Sequence, residues 1–219
     1  MRITKYGLRE ILLSGVGCLA VAVIILLLVP GWGRAVILVP AAVFLWVLSF
    51  FRDPERRIPQ GANLVVSPAD GTVTEIADVQ EDTYIKGKAA KIGIFLSVFN
   101  VHLNRAPVGG KVEYIKYTPG KFLDARDRNS SAENESNAVG IQIGGRGGKA
   151  LVKQISGVIA RRIVCDCRVG DNLEKGRTIG MIKFGSRTEL FISKALGFNV
   201  RVKTGDKVKA GSSVLGEFT

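Results

Sequence analysis

Val169-Gly170-Asp171-Asn172-Leu173-Glu174-Lys175-Gly176 is answered later in the chain by Thr204-Gly205-Asp206-Lys207-Val208-Lys209-Ala210-Gly211. An apolar stretch precedes each, Gly157-Val158-Ile159-Ala160 in the first case and Asn199-Val200-Arg201-Val202 in the second. The repeated element is strand, then Gly-Asp-x-hydrophobic-x-x-Gly, then strand. Glycine supplies the positive φ of a tight turn and aspartate caps it. Outward from this repeat, everything after Gly61 reads as short valine- and isoleucine-rich runs separated by glycine. The strand candidates are residues 64–66, 72–76, 91–96, 111–117, 139–143, 150–155, 157–167, 178–184, 189–192 and 199–202. No long segment of 3.6-residue period competes with them, and most of the 26 glycines fall here, which suits turns and bulges of an all-β domain.

The repeat resembles barrel-sandwich hybrid folds such as lipoyl domains and sugar-phosphotransferase carriers, so the main domain, residues 60–219, is expected to be mainly β and barrel-sandwich-hybrid-like. That likeness speaks to fold and is silent on chemistry. One stretch breaks the pattern, Lys121 to Asn137, a polar run dense in both charges that reads either as a lid or substrate loop or as a solvated one.

Residues 1–59 are a separate region. From Ile11 to Val29 there are about 19 residues without a charge, and from Ala35 to Phe51 about 17 more, each close to the length that crosses a bilayer core. Pro30-Gly31-Trp32-Gly33-Arg34 breaks them into a helical hairpin that is transmembrane or re-entrant. Arg2, Lys5 and Arg9 precede the first run and Arg52, Arg56 and Arg57 follow the second, which places both ends, and the β domain, on the cytoplasmic side of a cell membrane. A cleavable signal peptide is disfavoured because the first run is long and a second follows. Phe51 to Pro59, with two prolines and several charges, ends the helix and reads as a basic linker at the lipid surface.

The formal charge of +12 favours an anionic partner. Nucleic acid is not expected, since no run alternates aromatic with basic residues and no zinc-finger spacing occurs; with the hairpin present, anionic membrane lipid is the better partner. Of the three cysteines, Cys18 lies in an apolar run, and Cys165 and Cys167 point to one face of a strand. They read as two buried or half-buried thiols rather than a redox or metal site, because no second pair of ligands accompanies them.

His102 is the single histidine, so no metal centre built on several histidines is expected, and no metal at all. Asp70 stands in the turn Ser67-Pro68-Ala69-Asp70-Gly71, and Ser186 follows Gly185 between two apolar runs. Each alone is an ordinary turn or structural residue. Together they have the residue types of a Ser-His-Asp arrangement, which only space can test.

Five segments, in order, carry a family resemblance: the hairpin ending in Phe-Phe-Arg-Asp-Pro, the Ser-Pro-Ala-Asp-Gly turn, Phe-Asn-Val-His-Leu-Asn-Arg-Ala-Pro at Phe99–Pro107, Lys-Phe-Leu-Asp-Ala with Glu-Asn-Glu beyond it, and Phe-Gly-Ser-Arg. The chain resembles the short, membrane-anchored class of phosphatidylserine decarboxylase proenzymes along nearly its whole length. The resemblance implies that Asp70 orients His102, that His102 acts as general base, and that Ser186 attacks the Gly185 carbonyl so that the chain cleaves itself between them. It further implies that Ser186 becomes a pyruvoyl group, the covalent cofactor, whose ketone takes up the amine of phosphatidylserine and draws off the electrons left by CO2. Residues 1–185 become a β chain and 186–219 an α chain, the two forming a heterodimer, with higher oligomers left open. One departure stands out: longer relatives carry a second histidine three residues before the one matching His102, and here that place is Phe99. The proton donor to the product carbanion is therefore unassigned. Two other readings stay open: a pyruvoyl decarboxylase of another serine-headed lipid, and a lipoyl-like membrane adaptor, for which Met181-Ile182-Lys183 is the nearest thing to a modifiable lysine motif.

Overall fold

The computed structural model describes residues 2–127, 129–145, 147–158, 162–183 and 186–219. Its contacts divide the chain into two units, Met1–Pro54 and Glu55–Thr219.

In the first unit the charge-free run winds into α1, Leu8–Leu28, with Glu10 in its first turn. Leucine, isoleucine, valine and alanine cover it on all sides, and no residue of it is buried, the pattern of a helix whose solvent is lipid. At 1.5 Å per residue it reaches about 32 Å, enough for a bilayer core. Val29 leaves the helix in an extended conformation, Pro30 follows, and a 3-10 stretch, Gly31–Ile37, leads into α2, Leu38–Phe50. Pro40 is tolerated because it lies in the first turn of α2, where its missing N–H is not needed. A Cβ on Gly15 would sit 3.1 Å from the Phe44 ring, so the two helices pack closely there. Both hairpin arms, Lys5–Leu28 and Gly31–Phe50, are long and apolar enough to cross a membrane. The short strands β1 (Arg2–Ile3) and β2 (Arg52–Asp53) pair antiparallel across the base of the hairpin.

The second unit is built from strands. In chain order they are β3 (Leu64–Val66), β4 (Gly71–Glu81), β5 (Gly87–Leu96), β6 (Leu103–Arg105) and β7 (Gly110–Thr118). After a four-residue helix, α3 (Ser130–Glu133), come β8 (Ser136–Ile143), β9 (Lys149–Ile155), β10 (Arg162–Cys165) and β11 (Asn172–Leu173). β12 (Thr178–Lys183), β13 (Ser186–Ser193), β14 (Phe198–Val200), β15 (Lys207–Val208) and β16 (Val214–Phe218) complete the fold. An eight-stranded antiparallel sheet runs β11-β7-β8-β9-β13-β5-β4-β15, with two three-stranded sheets, β10-β12-β6 and β14-β16-β3, beside it. The core lies on one face of the large sheet, where alternation places Val73, Ile92, Ile94, Leu96, Val139, Ile141, Val152, Leu190 and Ile192.

The two Gly-Asp turns organise this sheet as a pseudo-symmetric pair. Gly170 and Gly205 have φ of 99° and 97°, and the closing Gly176 and Gly211 have 83° and 74°. Asp171 accepts the Arg168 N–H at 2.9 Å and Asp206 the Lys203 N–H at 3.0 Å, the cap expected of both. The first turn docks on Val112 of β7 and the second on Val73 of β4, each through a pair of backbone hydrogen bonds. A bulge follows on both host strands, between Val112 and Tyr114 and between Val73 and Glu75. The repeats thus supply the outermost strands of the large sheet, β11 at one edge and β15 at the other, each pairing over two residues.

Counting back from the turns also corrects the strand that feeds the first of them. It is Arg162–Cys165, whereas Ser156, Gly157 and Val158 lie outside any strand and residues 159–161 outside the described residues. The run 157–167 is therefore not one strand. Ser136 and Asn137, read from sequence as the end of the polar loop, belong to β8, because the zipper with β7 and β9 extends to Thr118 and Ile155.

Candidate active site

Strand register gathers the three candidate residues at one end of the large sheet. Ser186, the first residue of β13, pairs with Leu96, the last of β5. Thr72 of β4 pairs with Phe95, which brings the Asp70 turn to the same end. Leu96 leads through Ser97–Val101 to His102, whose carbonyl accepts the Ile182 N–H at 3.2 Å as β6 pairs with β12. β12 ends at Lys183, and Phe184 and Gly185, the second being the expected cleavage partner of Ser186, lie outside the described residues.

His102 is fully buried, and its Nδ1 is 3.0 Å from the Asn100 carbonyl oxygen. A carbonyl accepts only, so Nδ1 carries a proton, and Nε2 is the nitrogen that is basic when the ring is neutral. The loop holding Asn100 is itself fixed: the Asn100 side chain accepts from the Ser97 N–H at 2.9 Å and from the Ser97 hydroxyl at 2.8 Å. Asp70 is held by other groups. Arg56 Nη2 donates to its two oxygens at 2.9 and 2.8 Å, and the Ala210 N–H donates to Oδ1 at 2.8 Å. Arg56 and Asp70 have side chains 9% and 10% exposed; the buried carboxylate draws the Arg56 guanidinium inward, so this one charge of the basic linker is taken up by the fold.

Asn104 links all three segments and was not singled out by sequence. Fully buried on β6, it donates to the Thr188 hydroxyl at 2.9 Å, two residues from Ser186, and to the Pro68 carbonyl at 3.3 Å, two residues from Asp70. Its own oxygen accepts from Gln154 at 2.9 Å, and Gln154 accepts from Asn137 at 3.0 Å. A lone asparagine in an apolar strand carries no sequence signal beyond its place in the Phe99–Pro107 motif.

Ser186 faces the core side with Thr188, Leu190 and Ile192, since side chains alternate along β13. Its hydroxyl oxygen is buried with no hydrogen-bond partner among the described residues. The opposite face of β13 is ionic. Glu189, fully buried, accepts from Arg187 at 2.9 Å and from the Ser131 hydroxyl at 2.8 Å, and pairs with Lys91 at 3.1 Å. Arg187 and Lys91 also bind Glu75, and although burial raises the Glu75 pKa, these two cations outweigh it and hold the carboxyl below its usual range. A cavity of about 470 Å³ lined by Thr74, Glu75, Lys91, Arg126 and Arg187 opens on this face. The polar loop packs on itself at the same sheet end: Asn134 bonds both Leu123 backbone groups and the Ser156 carbonyl.

A family model described as phosphatidylserine decarboxylase matches residues 43–216. The chain belongs to the phosphatidylserine decarboxylase family. A phosphatidylserine decarboxylase proenzyme of Carboxydothermus hydrogenoformans is 49% identical over 174 residues, covering 80% of each chain. That of Symbiobacterium thermophilum is 45% identical over 196 residues, 90% of this chain and 89% of the relative. That of Rhodopirellula baltica is 43% identical over 219 residues, 98% of this chain and 87% of the relative. Within the phosphatidylserine decarboxylase fold the adaptor reading loses its lysine, because Met181 and Ile182 are fully buried and Lys183 is 6% exposed, far from the accessible hairpin tip that modification needs.

Proposed function

We propose that the chain is a self-processing proenzyme that cuts itself between Gly185 and Ser186 and then removes CO2 from phosphatidylserine to leave phosphatidylethanolamine. The observation that carries the reading is the Ser186 hydroxyl, fully buried at the head of β13 and without a hydrogen-bond partner among the described residues. Leaving a buried polar group unpaired costs about 1–3 kcal/mol. Such a cost is sustained where chemistry uses the atom.

In this reading His102 Nε2 takes the Ser186 proton while the Nδ1–H bond to Asn100 holds the ring. The Ser186 oxygen attacks the Gly185 carbonyl carbon, the peptide C–N bond breaks, and the freed amine receives a proton, so an ester replaces the amide. Loss of the Ser186 α-proton expels Gly185 as a carboxylate and leaves dehydroalanine, which water converts to a pyruvoyl group and ammonia. The position suits that group, since the Ser186 Cβ ends as a methyl and the buried hydroxyl it loses has no hydrogen-bond partner among the described residues. Bound there, it supplies an electron sink for the charge left as CO2 departs. The Arg56–Asp70 pair and Asn104 act as positioning groups, tying the turn before β4 and the head of β13 to the strand that follows His102. The segment Ser186–Thr219 contributes β13 to the middle of the large sheet, so backbone pairing with β5 and β9 keeps the two fragments together as a heterodimer. The hairpin and its flanking arginines and lysines anchor the chain to a membrane with the β domain on the cytoplasmic side, where anionic lipid meets a chain of net charge +12.

Intact mass of purified protein tests this: two fragments split at Gly185 are expected, the smaller beginning with a pyruvoyl group. Ser186→Ala should stay whole, and borohydride with the lipid present should fix the lipid amine to the Ser186–Thr219 fragment alone. An active, uncut wild-type chain would refute the proposal. Vesicles carrying serine head groups on different lipid backbones identify the preferred substrate.

A further inference from the structure

The pseudo-symmetry of the two Gly-Asp turns aligns Val164-Cys165-Asp166-Cys167 with Asn199-Val200-Arg201-Val202. In the second half the two core-facing positions are Val200 and Val202, both packed against the hydrophobic core. Two apolar side chains are therefore all that packing asks of this corner, and the thiols of the first half call for another explanation.

Their geometry supplies one. The Cys165 and Cys167 sulfurs lie 3.6 Å apart, Cys165 half-buried and Cys167 buried. The hydrogen bond between the two sulfurs, in which either can donate, draws the Cys165 pKa down to about 6 against the effect of burial. The same bond, with burial, pushes the Cys167 thiol up. The asymmetry favours Cys165 as the thiol that ionises first and Cys167 as the one that keeps its proton.

We propose that Cys165 and Cys167 are a reversible dithiol modification site, oxidised to an intrachain disulfide by low-molecular-weight disulfides. The Cys165 thiolate attacks one sulfur of the oxidant, whose S–S bond breaks and releases a thiolate, leaving a mixed disulfide. The Cys167 proton passes to that thiolate, and the Cys167 sulfur attacks Cys165 Sγ and expels the second small thiolate. Two electrons move from the protein sulfurs to the two sulfurs of the oxidant, and reduction reverses both steps. A transient disulfide of this kind is compatible with a reducing compartment.

Closing the gap from 3.6 Å to a bond of about 2.05 Å moves Cys165, which pairs with Gly180 on β12, the strand that runs to Lys183 just before the cleavage pair. Cys165 is also hydrogen-bonded by Asn137, the start of the chain through Gln154 and Asn104 to Thr188. Oxidation thus reaches the head of β13 by two routes. Disulfide formation stands independently of the role given to Ser186; its effect on turnover rests on that role.

The full chain in detergent micelles, equilibrated at set ratios of reduced to oxidised glutathione, blocked with N-ethylmaleimide and cut with trypsin, yields the peptide Ile163–Arg168. The expected oxidised product is this peptide lighter by two hydrogens and carrying no label, with decarboxylation slowed about fivefold or more and restored by reductant. In Cys167→Val glutathione should remain on Cys165, and in Cys165→Val the peptide should keep its label. A wild-type peptide that takes up two labels at every ratio, or that retains glutathione, overturns the proposal. A disulfide formed without change in turnover overturns the link to β13. Reduced, uncut and inactive protein would count against the reading of Ser186 and not against the dithiol.

Discussion

Exchanging Arg56 for methionine keeps an unbranched side chain but leaves Asp70 with the Ala210 N–H as its donor among the described residues. Both side chains are about nine-tenths buried, so water screens the loss poorly, and stripping one partner from a buried ion pair costs about 3–5 kcal/mol. Arg56 Nε is itself buried without a partner among the described residues, and removing it returns part of that cost, which brings the expected net loss to about 2–3 kcal/mol. Urea unfolding in detergent, with Ser186→Ala in the background so that a single polypeptide unfolds, measures it. Combining Arg56→Met with Asp70→Asn should recover at least about 1 kcal/mol relative to the sum of the single changes, the mark of direct coupling. With Ser186 intact, Arg56→Met should slow self-cleavage about tenfold or more, as misplaced positioning groups do. An unfolding free energy within about 0.5 kcal/mol of the parent, or strict additivity with Asp70→Asn, would show that the pair neither stabilises the fold nor sets the Asp70 turn.

Asn104→Ala orphans the Gln154 amide and a Thr188 partner at once, for an expected loss of about 2–4 kcal/mol, read by thermal unfolding together with slower appearance of the small fragment. Gly170→Ala and Gly205→Ala should each cost about 1–2 kcal/mol through backbone conformation alone, since nothing lies within 4 Å of an added Cβ at either site. Gly87→Ala, equally open and without positive φ, should change stability by less than about 0.5 kcal/mol, and a similar loss at all three would refute the turn assignment. Alkylation of Cys165 requires the thiolate, so its rate should rise with pH through a midpoint near 6, well below the usual thiol value of about 8.5; Cys167→Val should move that midpoint upward.

Local features were legible in the residues themselves. The hairpin follows from two charge-free runs broken at Pro30-Gly31, because a bilayer core admits no other backbone than one bonded to itself. The Gly-Asp turns follow because positive φ and an aspartate cap are properties of a few adjacent residues, and both turns have them at the positions where glycine stands. Strands β3, β5, β7, β9 and β12 lie where valine and isoleucine cluster. The short strands β6, β11 and β15 left little trace, since two or three residues hold too little periodicity and owe their conformation to a neighbouring strand.

Asp70, His102 and Ser186 are named by the motifs that carry the family resemblance, but the strand ends on which they stand are brought to one side of the sheet by register among β4, β5, β6, β12 and β13. Register depends on which distant strands exchange hydrogen bonds, and no window of adjacent residues contains that information. The same holds for Arg56, whose pairing with a buried carboxylate 14 residues further on is a product of the fold. It holds for Cys165 and Cys167 too, where sequence set two thiols on one face and tertiary packing decided that their sulfurs would touch. Composition and short-range pattern determine what each segment is; pairing across the chain, driven by burial of its shared apolar face, decides which segments meet and therefore where chemistry can occur.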